Sequence, residues 1–63
     1  MTSSELRENR KIYGLTQVQL AELMAVSPNT VARWERGEVP IQQGLCRLAF
    51  RVLELERNKR SGQ

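Results

Sequence analysis

Asn29, Thr30 and Arg33 stand in PNTVARWERG at separations of one, three and four residues, so a helix over this stretch gathers all three on one face. An amide, a hydroxyl and a guanidinium side by side suit recognition by hydrogen bonding. Asparagine pairs bidentately with adenine, threonine bonds a base edge or sets its methyl against that of thymine, and arginine pairs bidentately with guanine. A solvated polar face is the plain alternative for three such residues. Gln17 lies near the start of a preceding helical pattern, where backbone N–H groups already favour a phosphate oxygen. Catalysis has no comparable residues: there is no histidine, no carboxylate pair facing a cleft and no glycine-rich phosphate loop, so no enzyme is expected. With no histidine and a single cysteine, Cys46, neither a metal site nor an internal disulfide is expected, and no cofactor or small-molecule ligand is indicated.

The elements that must carry these residues are legible from local signals. The stretch Thr16 to Gly37, TQVQLAELMAVSPNTVARWERG, contains two short helical patterns divided by Ala25-Val26-Ser27. Thr16 with Gln19 three residues on makes a capping box, which starts one helix at Gln17. Ser27 is a good N-cap and Pro28 suits the first helical position, so the next helix runs from Pro28 to about Arg36, where Gly37 stops it. This is helix-turn-helix geometry. Val31, Trp34 and Glu35 point inward, and Trp34 reads as core.

Before this stretch, Ser3 or Ser4 caps a first helix that ends at Gly14, with Glu5 and Glu8 early and Arg10 and Lys11 late, as the macrodipole prefers. Leu6, Arg10 and Tyr13 form its inward stripe, which places a charged Arg10 between apolar neighbours. After it, a loop over Gly37-Glu38-Val39-Pro40 leads to a last helix from about Ile41 to Arg57. Ile41, Leu45, Leu48, Val52 and Leu55 recur there as in a coiled-coil seam, and Cys46, Ala49, Phe50 and Leu53 widen the apolar arc to roughly 220°, more than one core-facing stripe needs. The surplus predicts a self-association surface around Cys46, Phe50 and Leu53. Residues 58–63 read as a frayed polar tail to a domain over residues 1–57.

Composition bounds the rest. A chain of 63 residues makes one domain of marginal size, and 40% hydrophobic with 27% charged residues is globular. No run of 18 apolar residues is present to cross a membrane and Met1-Thr2-Ser3-Ser4 is unlike a signal peptide, so the expected location is the cytoplasm. Ten Lys and Arg against seven Asp and Glu give a net charge of +3, which permits a polyanionic partner without demanding one.

Together, Leu15-Thr16-Gln17, Leu20-Ala21, Ser27 to Val31 and Trp34-Glu35-Arg36-Gly37 resemble the lambda-repressor-like helix-turn-helix family of the Cro and xenobiotic-response-element type, over about Leu6 to Leu53. The resemblance implies an all-α fold of four helices, or five if the last stretch divides, whose third helix enters the major groove, commonly as a dimer on a two-fold symmetric operator. It implies phosphate contacts at Gln17 and Arg36 and a base-reading face of Pro28, Asn29, Thr30 and Arg33; Pro28 has only an apolar ring to set against a thymine methyl. It also implies that Arg10 pairs with Glu35. Two departures stand out: Ala25, where the family commonly has glycine, and one long last helix where many relatives have two.

The expected function is therefore that of a sequence-specific transcriptional regulator, a repressor that binds double-stranded DNA as a homodimer. The alternative is a protein-interaction module, antitoxin-like or an anti-repressor partner, that uses the apolar face of the last helix.

Overall fold

In the computed structural model, which describes residues 1–61, the chain forms α1 (Ser3–Ile12), α2 (Gln17–Met24), α3 (Pro28–Glu35) and α4 (Gln43–Ser61), with no strand among the described residues. The fold is all-α, as the sequence predicts, with the last stretch a single helix. Leu6, Leu20, Ala21, Met24, Val31, Trp34, Cys46, Ala49 and Phe50 close one core to which every helix contributes.

Thr2, and not Ser3 or Ser4, caps α1. The Glu5 amide donates to Thr2 Oγ1 at 3.1 Å and the Thr2 amide donates to Glu5 Oε1 at 2.8 Å. A capping box needs an acidic or amide side chain three residues after the cap; from Ser3 or Ser4 that place would fall to Leu6 or Arg7, neither of which can accept. The helix closes through Gly14, at φ 67°, with the Leu15 amide donating to the Arg10 carbonyl at 3.1 Å.

The second capping box forms as expected, from Thr16 with Gln19. At the far end of α2, Ala25 occupies the left-handed region at φ 57° and ψ 39°, so the turn keeps a glycine-type conformation despite its methyl. That conformation costs an L-residue about 1–2 kcal/mol. It is stabilised by the Val26 amide, which donates to the Ala21 carbonyl at 3.0 Å. Ser27 then caps α3, its Oγ accepting from the Thr30 amide at 3.2 Å, with Pro28 following at the first helical position.

The last helix begins at Gln43, two residues later than expected, where the Gln42 carbonyl accepts from the Cys46 amide. It runs past Arg57 to Ser61, so Asn58 to Ser61 continue the helix; Gly62 and Gln63, also assigned to the frayed tail, lie outside the described residues.

Ile41 and Leu45 of the expected seam pack against the core, but the rest of the apolar arc divides differently from the prediction. Cys46 and Phe50 are buried and Leu53 is half-buried against them, so the self-association surface expected there is core instead. Burial pushes the Cys46 thiol up from its ordinary pKa, as suits an inert packing residue. At 100° per residue Leu48, Val52 and Leu55 lie about 160°, 120° and 180° round from Cys46. These three are exposed, Leu48 to 63%. Tyr13 stacks on Phe50 with ring centroids 6.1 Å apart, and the Arg57 guanidinium lies 6.0 Å from the Tyr13 ring, which ties the end of α1 to α4.

Candidate nucleic-acid interface

α3 is short and amphipathic, and its two faces do different work. Val31 and Trp34 fill the core against α1 and α2. Glu35, beside them, is the buried charged residue among the described residues, its side chain 1% exposed.

Glu35 sits in a cage of donors drawn from two other helices. Arg10 Nε donates to Glu35 Oε2 at 2.7 Å and Arg10 Nη2 to Oε1 at 3.1 Å, the bidentate pairing for which guanidinium is shaped. Arg10 Nη1 also donates to the Leu15 carbonyl at 2.9 Å, so each nitrogen of the inward guanidinium makes a hydrogen bond. Gln17 Nε2 donates to Glu35 Oε1 at 3.2 Å, and Arg7 Nε stands 3.6 Å from the same oxygen. Burial alone would raise the carboxyl pKa; the hydrogen bonds of Arg10 and Gln17 and the charges of Arg10 and Arg7 outweigh it and hold the group below its ordinary value. The cluster therefore staples α3 to α1 and α2 as a charged, satisfied unit. Arg7 joins it because it lies one turn from Arg10 on the same side of α1. Its side chain stays half exposed, and the i, i+3 spacing to Arg10 is the sequence signal that places it beside the cluster.

Gln17 thus has a structural task that its sequence position did not reveal. One N–H of its amide is committed to Glu35 and the Gln19 amide to the Thr16 cap, leaving the other side-chain N–H and the Gln17 and Val18 backbone amides for any phosphate.

The opposite side of α3 presents Pro28, Asn29 and Arg33 to solvent, with Thr30 half-buried at its edge. Thr30 Oγ1 lies 2.9 Å from Ser27 Oγ, so its hydroxyl is shared with the cap and its methyl is the freer recognition group. Arg33 and Arg36 are both about half exposed, and both lean on one carboxylate: Arg33 Nε is 3.7 Å from Glu38 Oε1, and Arg36 Nε donates to Glu38 Oε2. The structure thus leaves Pro28, Asn29, Arg33 and Arg36 exposed on the outward side of α3 and its C-cap, with Thr30 half-buried at the edge. Glu38, an acidic residue inside this edge, was read only as loop.

Comparison with known proteins agrees with this geometry. A family model described as helix-turn-helix matches residues 6–60. No curated protein and no solved structure matches the chain. Among the described residues no helix is long and apolar enough to cross a membrane.

Proposed function

The chain belongs to the helix-turn-helix family, a family of DNA-binding transcription regulators, and from that premise we propose that it is a sequence-specific repressor acting at the nucleoid, bound as a homodimer to a two-fold symmetric operator. The observation that supports this most is the division of labour on α3. Its inner face is stapled by Glu35 to Arg10 and Gln17, so the orientation of its outer face is set before any partner arrives. That outer face offers Asn29, Thr30 and Arg33 to base edges, with the Pro28 ring for a thymine methyl. Arg36 and the start of α2 at Gln17 supply phosphate contacts, which give affinity and register but no sequence choice. The proposed role is binding without catalysis. A module that occupies an operator excludes other proteins from it, hence repression as the regulatory sense.

The second copy has a place to dock. Leu48, Val52 and Leu55 form an exposed apolar stripe on α4, and Leu23 of α2 lines one groove with Leu48 and Val52. Numbered as a heptad, Leu48 and Leu55 take d positions and Val52 an a position, the combination that favours two parallel strands. Arg51 and Glu56 then flank the stripe at g and e, and a parallel pair sets Arg51 opposite the partner's Glu56. An antiparallel pair would set like charges together. Beyond Leu53 every residue through Lys59 is exposed, so this part of α4 projects from the body of a single chain.

Two substitutions on the reading face separate its roles. Arg33→Ala is expected to relax preference at one base position and cost about 1–3 kcal/mol on the preferred site. Arg36→Ala is expected to weaken binding to all sequences alike and to lower the salt slope by about 1. Fluorescence anisotropy with matched and mismatched duplexes over a salt series measures both. If both variants bind like the parent, the face is assigned wrongly.

A further inference from the structure

The carboxylate at the DNA-facing edge is put there by the backbone. Gly37, at φ 74°, closes α3, and the Glu38 amide donates to the Arg33 carbonyl at 3.0 Å while the Gly37 amide donates to that of Trp34 at 3.1 Å. This paired closure folds residue 38 back beside the last turn of α3. The side chain consequently meets Arg33 at 3.7 Å and accepts from Arg36. Helix stability does not account for an acid here, because the C-terminal end of a helix carries partial negative charge and disfavours carboxylates. Core packing does not either, since Glu38 is half exposed.

We propose that Glu38 is an internal counter-anion for the reading face: it occupies Arg36 and Arg33 in the free protein and must yield them to DNA, so it holds down the affinity for duplex of any sequence. The inference rests on the DNA-binding role of this face. A carboxylate between two guanidiniums presents the charge and geometry of a phosphate oxygen pair. When Arg36 turns to a phosphate, its bond to Glu38 breaks and the uncovered carboxylate is left beside the polyanion. Both effects oppose binding, and neither depends on base sequence. Holding down non-specific affinity matters for a small reader, because arbitrary duplex vastly outnumbers operator.

Glu38→Gln preserves size and removes the charge from an exposed position, so little effect on folding is expected. Binding of parent, Glu38→Gln, Arg36→Ala and the Arg36→Ala, Glu38→Gln double variant to a random-sequence duplex is measured over a salt series. Glu38→Gln should tighten binding by about 3–10-fold, the size of one or two exposed ion pairs, and steepen the salt dependence by about one ion. The gain should shrink in the Arg36→Ala background, since the two residues act on each other. Unchanged affinity and slope overturn the proposal, as does weaker binding, which would make Glu38 a brace for the arginines. Arg36→Ala keeps the two ideas apart. If it weakens binding while Glu38→Gln changes nothing, the DNA-binding role stands and the counter-anion falls; if the folded parent binds no duplex, both fall.

Discussion

Glu35→Ala is expected to cost about 3–5 kcal/mol of folding stability, because it leaves Arg10 charged and without its carboxylate in a site only 14% open to solvent. A domain of this length has about 3–9 kcal/mol in all, at about 0.05–0.15 kcal/mol per residue, so this one change removes much of it. Arg10→Ala should also destabilise, by somewhat less, because the buried carboxylate loses its bidentate partner and keeps only Gln17 and the more distant Arg7. Replacing both with apolar residues of similar volume should cost far less than either single change, since no buried charge is then left alone. Urea or thermal unfolding of the four proteins checks this pattern. Acid should act in the same sense. The folded pKa of Glu35 is depressed below its ordinary value of 4.5, so its contribution is complete above that value and is lost as pH falls through the folded pKa. Glu35→Gln should flatten that part of the stability profile. Additive single changes, or a double variant as unstable as the worse single one, would show that the pair is not the staple described.

Leu48→Glu with Val52→Glu is expected to leave the folded single chain within about 0.5 kcal/mol of the parent, since both positions are exposed and outside the core. The same pair of changes places four carboxylates at a two-fold seam. The proposed dimer should dissociate, and affinity for a two-fold site should fall about 10²–10⁴-fold as the second half-site contact becomes a separate event. Sedimentation and operator binding on the same samples measure both. The proposed pairing of Arg51 with Glu56 across the seam adds a finer check: Arg51→Glu or Glu56→Arg alone should weaken the dimer, and the two together should restore it. Were the parent a monomer, or the variant still a dimer, the α4 seam would be wrong.

The parts of this fold that were legible in the sequence are those decided within a few residues. The capping box of Thr16 and Gln19, the Ser27 cap ahead of Pro28 and the stop at Gly37 each satisfy backbone groups locally, so residue type at a fixed offset is enough. Three hydroxyl residues in a row blurred the start of α1, although the offset to Glu5 singles out Thr2. The pairing of Arg10 with Glu35 was expected from the inward stripe and the family resemblance, whereas Gln17 and Arg7 in the same cluster were not. Long side chains select partners only after helices have packed. On α4 the periodicity correctly announced more apolar surface than one core face uses. It did not say which part would be left over, because Leu48–Val52–Leu55 and Cys46–Phe50–Leu53 repeat with the same spacings. Packing against α1 and α2 chose the second set, with Tyr13 stacked on Phe50. Glu38 escaped notice because its role depends on where the closure at Gly37 returns the chain.

Selection of binding sites from random duplexes tests the central claim most directly. The account predicts recovery of one preferred sequence as inverted half-sites centred about one helical turn apart, and loss of preference at a single position per half-site with Arg33→Ala. Recovery of no preferred sequence, or of a preference that Arg33→Ala leaves intact at every position, would contradict it.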